Sequence, residues 1–239
     1  MGRTIVITGG SSEIGRAIIG KVVHDDDRVI IQCFANSGAL TDIRNELGGR
    51  CAVVTADFSD DRGIGNFCDI LADVDVLING AARTIPELLA GTSDQDIDTM
   101  LRVNVVAPVK ICRKVIPSMV ARRKGIIVNI SSVSATRGNR GQSVYAGTKG
   151  FIESFTRVVA AEYGSRGIRA NCVAPGPIDA GSLKALVRYA EKDVNESLST
   201  GKPGTPADVA SLVAFLCSDE ASFINGKTFG VDGGFMRGV

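Results

Sequence analysis

The sequence predicts an α/β protein: a single-domain, doubly wound parallel sheet of about seven strands flanked by helices. Three observations lead there. Short runs rich in β-branched residues alternate along the chain with segments of helical periodicity. The first run, Arg3 to Thr8, passes into GGSSEIG and then into a helix, which is the order strand, glycine-rich turn, helix. No linker, repeat or low-complexity stretch divides the 239 residues, so one domain is expected over 1–239.

After the turn, Ile14, Ala17, Ile18 and Val22 recur at helical spacing. A second strand is predicted at Val29 to Cys33, a helix near Leu40 to Leu47, and a third strand at Cys51 to Thr55. A helix over Arg62 to Leu71 leads to a fourth strand, Val74 to Asn79, followed by a long helical region from Asp94 to Arg123. The fifth strand is Ile126 to Ile130, a helix covers Val144 to Tyr163, and the sixth strand is Arg169 to Val173. A helix at Ala207 to Cys217 and a strand at Thr228 to Val231 close the order. Strands this apolar are buried on both faces, and helices between them make the sheet parallel. In the stretch 176–206, Leu183, Leu186, Val187 and Leu198 predict a short helix that covers the site as a lid.

Composition narrows the function classes. Apolar content of 44% with 22% charged residues is ordinary for a soluble globular protein. A net charge of +1 gives no global field for nucleic acid or an anionic membrane, so neither is expected as a partner. No apolar run reaches the length of a membrane span and the start has no signal-peptide pattern, so the cytoplasm is the expected location. The six cysteines form no CxxC pair and mostly sit in apolar runs, as buried free thiols do; no metal site is expected. The single histidine, His24, lies beside Asp25, Asp26 and Asp27 at the end of the first helix, which argues against a Ser-His triad.

The chemistry concentrates between Asn129 and Lys149, in NISSVSATRGNRGQSVYAGTK. Tyr145 and Lys149 are four apart and share a helix face, and a fixed ammonium beside a phenol favours the phenolate. Ser132, at the end of the fifth strand, can present its hydroxyl to the same point. Taken alone, the pair reads better as an ordinary half-exposed helical pair. The glycine-rich turn adds a second function, because backbone N–H groups and a helix N-terminus converging on one point suit a pyrophosphate.

In this order the motifs resemble the short-chain dehydrogenase/reductase family over nearly the whole chain, Arg3 to Phe235. TGGSSEIG at Thr8 to Gly15 is similar to its cofactor-binding turn, and DVLINGAA at Asp75 to Ala82 to its DVLVNNAG segment. Asn104, Ser132, Tyr145 and Lys149 fall at the spacings of its catalytic tetrad; PGPI at Pro175 to Ile178 resembles its PG loop, and VDGG closes the chain. The resemblance implies a Rossmann-type fold and hydride exchange between a nicotinamide cofactor and a carbonyl carbon. Tyr145 would give or take the proton on oxygen while Ser132 orients that oxygen. Lys149 would lower the tyrosine pKa and reach the nicotinamide ribose. Pro108 has no N–H, so the backbone carbonyl of Asn104 loses its helical partner and is free to hold the relay water that the family places there. A simple helix kink is the other account of Pro108.

The cofactor residues carried over by the resemblance are Gly9, Ser11, Ser12, Glu13, Ile14, Asp57, Phe58, Asn79, Gly80, Ala81, Tyr145, Lys149, Pro175, Gly176 and Ile178. Asn36 and Ser37 join them as donors to a 2′-phosphate. No acid lies from Val29 through Leu40 to hold a ribose 2′-OH, so NADP(H) is favoured, with NAD(H) as the alternative, although Ser12 stands where many NADP-binding members have a basic residue. Asp57 is placed to meet the adenine. Glu13 replaces the family's middle glycine, bringing bulk and charge near two phosphates unless it points to solvent, which is the expected arrangement. Gly80 and Ala82 replace the second asparagine and the glycine of the NNAG segment, removing a side chain that steadies the central strands. Ala180 stands where a threonine often contacts the carboxamide, and Ser182 is the nearest substitute.

Among relatives, the text around the site is most similar to 3-oxoacyl-[acyl-carrier-protein] reductases, and Arg123 and Arg166 match the basic positions with which that group docks its acidic carrier. A small-molecule or carrier-bound carbonyl substrate is therefore expected. The alternatives are a reductase of another ketone or secondary alcohol, and a cofactor-binding protein without turnover. Phe151, Ile152, Phe155, Val158 and Val159 make the helix after Tyr145 apolar on more than one side, which predicts a homodimer or homotetramer.

Overall fold

The structure, a computed structural model, describes residues 2–35, 38–181, 184 and 191–235. Its centre is one seven-stranded sheet in the order β3-β2-β1-β4-β5-β6-β7. The strands are β1 (Thr4–Thr8), β2 (Arg28–Cys33), β3 (Cys51–Thr55), β4 (Val76–Asn79), β5 (Gly125–Ile130), β6 (Ile168–Pro175) and β7 (Thr228–Val231). Every neighbouring pair is parallel. The helices are α1 (Glu13–Val22), α2 (Thr41–Leu47), α3 (Asp61–Asp69), α4 (Asp94–Leu101), α5 (Ala107–Arg122), α6 (Ser143–Tyr163), α7 (Glu191–Glu196) and α8 (Pro206–Leu216). Chain order reverses between β1 and β4, which opens a crevice at the C-terminal ends of the strands.

The period-two alternation of β1 builds both halves of the core. Ile5 and Ile7 pack with Ile18, Ile19 and Val22 of α1 and with Val209, Val213 and Leu216 of α8. Val6 faces the other way, into a cluster with Phe67 of α3, Ile111, Val115 and Met119 of α5, and Val159 of α6. Helix starts are capped as their sequences suggest. Ser12 Oγ accepts the Gly15 N–H, Asp60 and Ser93 cap α3 and α4, and Thr205 with Asp208 forms a capping box ahead of Pro206.

Several elements differ from the sequence reading, the fourth strand by starting at Val76 and two others more substantially. The predicted long helix divides into α4, one π-helical turn at Arg102–Val106, and α5, because Pro108 has no N–H to give and the ladder re-registers with the Ala107 N–H on the Arg102 carbonyl. The sixth strand runs on to Pro175, since Cys172 to Pro175 pair with β7. In 176–206, Ile178 bridges to Gly204 and Leu198 to Phe235, and α7 occupies part of the remainder. Ser182, Leu183, Leu186 and Val187 lie outside the described residues, as do Asn36 and Ser37. All six cysteines are free, four of them buried. Among the described residues no helix is long and apolar enough to cross a membrane, and no group of three His, Cys, Asp or Glu is placed to hold a metal.

Candidate active site

Ser131 and Ser132 follow directly from β5 at the C-terminal edge of the sheet. Ser132 is extended and caps a short turn, its Oγ accepting the Ser134 N–H at 3.1 Å. Helix α6 then carries Tyr145 and Lys149 back past the end of β5. Lys149 Nζ donates to the Ile130 carbonyl at 2.8 Å and lies 5.6 Å from the centre of the Tyr145 ring. The side chain is buried, and loss of water pushes its pKa down to about 8. Burial raises the Tyr145 pKa, and a hydrogen bond with Ser132 only partly offsets this. The sequence reading had the lysine lowering the phenol's pKa; here the ammonium is turned onto a backbone carbonyl and the ring face, and burial dominates.

Asn104 is buried in the π turn, and its side chain works as a clamp. Oδ1 accepts the Arg83 N–H at 2.7 Å, while Nδ2 donates to the Arg83 carbonyl at 2.8 Å and to Thr148 Oγ1 at 3.0 Å. Thr148 in turn donates to the Tyr145 carbonyl at 2.6 Å. The segment after β4 is thereby tied to the helix turn between Tyr145 and Lys149. Beneath the site, Asn79 Nδ2 donates to Asn129 Oδ1 and Asn129 Nδ2 to Thr156 Oγ1, each at 2.8 Å. This buried chain joins β4, β5 and α6, so Asn79 and Asn129 steady the central strands where Gly80 provides no side chain.

The glycine-rich turn is held by two side chains that the sequence reading passed over. Gln32 accepts the Gly9 N–H at 3.0 Å and donates to the Ala56 carbonyl at 2.7 Å. Thr8 Oγ1 accepts the N–H groups of Gly80 and Ala81, each at 3.1 Å. Gly9 has φ 71°, and a Cβ there would stand 2.8 Å from the Ala81 backbone; one on Gly15 would stand 2.4 Å from the Gly9 carbonyl. These turns are close-packed backbone against backbone.

A cavity of about 730 Å³ runs along this edge. Gly9, Ser11, Ser12 and Ile14 line one wall, Phe34, Asp57 and Phe58 one end, and Gly80, Ala81 and Arg83 the floor. Ser132, Tyr145 and Lys149 form the other end, with Pro175, Gly176, Ile178 and Ala180 alongside. Of the residues singled out from sequence, Asn79, Asn104 and Glu13 do not line it. Glu13 is partly exposed but not free in solvent: Oε2 accepts the Gly181 N–H at 2.7 Å, and Oε1 pairs with Lys184 Nζ. Phe34 is 68% exposed and unforeseen at the end of β2. Arg83 and Lys149 are the basic residues on the described lining, and neither stands among Phe34, Asp57 and Phe58. The close-approach turn, the α1 N-terminus and a cavity lined from Ser11 and Ser12 to Tyr145 and Lys149 fit a nicotinamide dinucleotide.

The family described as Enoyl-(Acyl carrier protein) reductase matches residues 9–236. The chain belongs to the short-chain dehydrogenase/reductase family. It is similar to Nodulation protein G of Rhizobium sp. (strain N33), 35% identical over 237 residues that cover 98% of this chain and 96% of that protein. It is similar also to the 3-oxoacyl-[acyl-carrier-protein] reductase FabG of Vibrio cholerae, 34% identical over 236 residues, 98% of this chain and 97% of that one. A solved structure described as a putative NAD(P)-dependent gluconate 5-dehydrogenase from Beutenbergia cavernae with bound NADP superposes with TM-score 0.90, 30% identity, and coverage of 98% and 96%. As a short-chain dehydrogenase/reductase, the protein is an oxidoreductase of the NAD(P)(H)-using kind that acts on carbonyl or alcohol groups.

Proposed function

We propose that the protein is an NADPH-dependent reductase of 3-oxoacyl groups carried on an acyl-carrier protein. The observation that carries the reading is the convergence of Ser132, Tyr145 and buried Lys149 on one end of the dinucleotide-sized cavity. A nicotinamide held at this end of the cavity would supply hydride to the carbonyl carbon. Tyr145, whose raised pKa keeps the phenol protonated at neutral pH, donates a proton to the carbonyl oxygen, and Ser132 Oγ hydrogen-bonds the same oxygen. A protonated phenol is the form that reduction requires. Lys149 holds the end of β5 through Ile130 and keeps positive charge beside the tyrosine as oxyanion character develops. Asn104 positions this machinery through Arg83 and Thr148 rather than through its own contact with the cavity.

NADPH is favoured over NADH because no acid stands between Val29 and Leu40 to bind a 2′-hydroxyl, and the gluconate-dehydrogenase neighbour holds NADP. The carrier-protein reading rests on the FabG relatives and on a basic pair. Arg123 donates to the Ser165 carbonyl at 3.0 Å, beside exposed Arg166, whereas Arg122 is engaged with Asp73, Asp75 and the Val74 carbonyl. Arg123 and Arg166 precede β5 and β6, so they lie at the N-terminal edge of the sheet, away from the catalytic edge. A carrier docked there serves the cavity of a second copy. The outer face of α6, where Phe151 stacks on Phe155 at 6.1 Å and Val158 is 53% exposed, is the face we assign to that homodimer or homotetramer. The chain acts as one cytoplasmic domain in which Gly176, Ile178 and Ala180 of the 176–206 stretch flank the substrate.

The test is an absorbance assay at the nicotinamide band, offering NADPH and NADH with a 3-oxoacyl carrier-protein thioester, its coenzyme A analogue, and a panel of free ketones including 5-ketogluconate. The proposal expects turnover with NADPH and preference for the carrier-bound substrate. Turnover confined to free ketones moves the substrate class to small ketones, and none on any substrate despite dinucleotide binding defeats the enzyme reading.

A further inference from the structure

Glu13 does something that the family glycine at its position has no side chain to do. It is the first residue of α1, immediately after the Ser12 cap, yet its carboxylate reaches across to a segment about 170 positions later in the chain. There it accepts the Gly181 N–H at 2.7 Å and pairs with Lys184 Nζ. Gly181 has φ 56°, a left-handed conformation that turns its N–H towards the carboxylate.

The span matters because of where the two ends sit. Glu13 follows β1 and Gly181 follows β6, and the sheet order places β4 and β5 between those strands. Three strand spacings are about 14 Å, so the contact crosses the outside of the crevice whose inner walls are Gly9 to Gly15 and Pro175 to Ala180. Glu13 itself is absent from the cavity lining, so its carboxylate does not face the space that the phosphates of a dinucleotide would take. Lys184 neutralises the carboxylate at the same point.

The far wall has backbone fastenings of its own, among them Gly176 N–H to the Val231 carbonyl at 2.9 Å. Asp179 N–H donates to the Gly204 carbonyl at 2.8 Å, and Gly204 N–H donates to the Pro177 carbonyl at 3.0 Å. These bonds hold Pro177 to Asp179 against Gly204, just ahead of α8. Among the described residues, Glu13 supplies the side-chain contacts that tie Gly181 and Lys184 back to the glycine-rich turn.

We propose that Glu13 is a positioning residue: through Gly181 and Lys184 it clasps the Pro175 to Gly181 wall against the cofactor turn and sets how long a bound dinucleotide is retained. The inference rests on the dinucleotide reading of the cavity and deepens it. A charge-assisted bond to a backbone N–H together with a half-exposed ion pair corresponds to roughly a tenfold effect on the off-rate.

The test uses the full chain with Glu13→Gly, Glu13→Gln and Lys184→Met. Dissociation of NADPH is followed by stopped-flow nicotinamide fluorescence, and amide hydrogen exchange is read at Ile178 to Gly181 with β5 as the internal reference. Glu13→Gly is expected to raise the off-rate roughly tenfold with little change in the on-rate, and to speed exchange at Asp179 to Gly181 both with and without NADPH. Glu13→Gln, which keeps an acceptor for Gly181 but loses the charge, and Lys184→Met should fall between. The reversed pair, Glu13→Lys with Lys184→Glu, should recover part of the retention. Off-rate and exchange both unchanged in Glu13→Gly, with normal binding by the unaltered protein, would overturn the inference alone. Absence of dinucleotide binding by the unaltered protein would overturn the cofactor reading and the retention claim together.

Discussion

The two walls of the cavity are built on opposite principles. The β5–α6 wall recognises through side chains: Ser132, Tyr145 and Lys149 each present a particular functional group, and Lys149 is fixed by burial and by the Ile130 carbonyl. The β1–α1 wall recognises through backbone: Gly9 and Gly15 let main chain approach main chain, and the side chains at Ser12 and Glu13 are capping and clasping groups. The difference explains which departures from the family pattern are tolerated. A glutamate replaces a glycine at position 13 without entering the cavity, because the site there is made of N–H groups whose geometry is kept by Gln32 and Thr8. No such replacement is available to Tyr145 under the proposed mechanism, in which its hydroxyl gives the proton.

The sharpest way to break this contrast is Tyr145→Phe. It is expected to lower turnover about a thousandfold while leaving dinucleotide affinity and melting temperature close to those of the unaltered protein. Loss of dinucleotide binding in that variant would show that the side-chain wall also carries the grip. The converse is Gly15→Ala. Its Cβ would meet the Gly9 carbonyl at 2.4 Å and force the turn open. Dinucleotide affinity should fall roughly a hundredfold, which corresponds to about 3 kcal/mol, with part of the cost appearing in folding stability. Titration calorimetry with NADPH measures the first and thermal melting the second. A Gly15→Ala protein that binds normally would mean that the turn does not need its close approach.

The same contrast explains what was legible in the sequence. Ser132, Tyr145 and Lys149 stood out because chemistry demands those groups at those spacings, and the glycines stood out because close approach excludes other residues. The parallel sheet followed from alternation, since strands buried on both faces and separated by helices require crossover connections. Less legible were contacts between residues distant in the chain whose types are common. Gln32 reads as one polar residue in an apolar strand, and nothing local shows that it holds Gly9 and Ala56. Asn104 was singled out for its backbone carbonyl beside Pro108, but its side-chain clamp on Arg83 depends on the π turn, which local periodicity does not reveal. Glu13 was read as an isolated charge at a helix start because its partners are about 170 residues away. The expectation for Tyr145 had the wrong sign for a related reason: spacing places the ammonium nearby but does not show that burial outweighs it.

Lys149 joins the two principles, and the effect expected of replacing it is smaller than those of Tyr145→Phe on turnover and Gly15→Ala on affinity. A cation buried at this depth costs folding energy, which appears as a pKa of about 8 against an ordinary 10.5. Below pH 8 it is charged in both folded and unfolded chains, so the cost is fully present. Between about 8 and 10.5 the unfolded chain binds more protons than the folded one, and this group's contribution to stability therefore rises with pH until the cost is gone. Buried thiols act in the opposite sense: the pKa values of Cys112, Cys172 and Cys217 are pushed up to about 12, 11 and 12, so their contributions fall as the unfolded thiols ionise above the ordinary value of 9.0. The pH profile of the unaltered protein mixes these effects, but the difference between it and Lys149→Met isolates the lysine. The shift corresponds to about 3 kcal/mol, and loss of the hydrogen bond to Ile130 takes back about 1, so Lys149→Met should be more stable by about 2 kcal/mol at pH 7. That advantage should shrink as pH rises from 8 to 10.5. Denaturant unfolding of both proteins across this range checks it, and a Lys149→Met protein that is less stable at pH 7 would mean that the buried ammonium is held by more than one carbonyl and the ring of Tyr145.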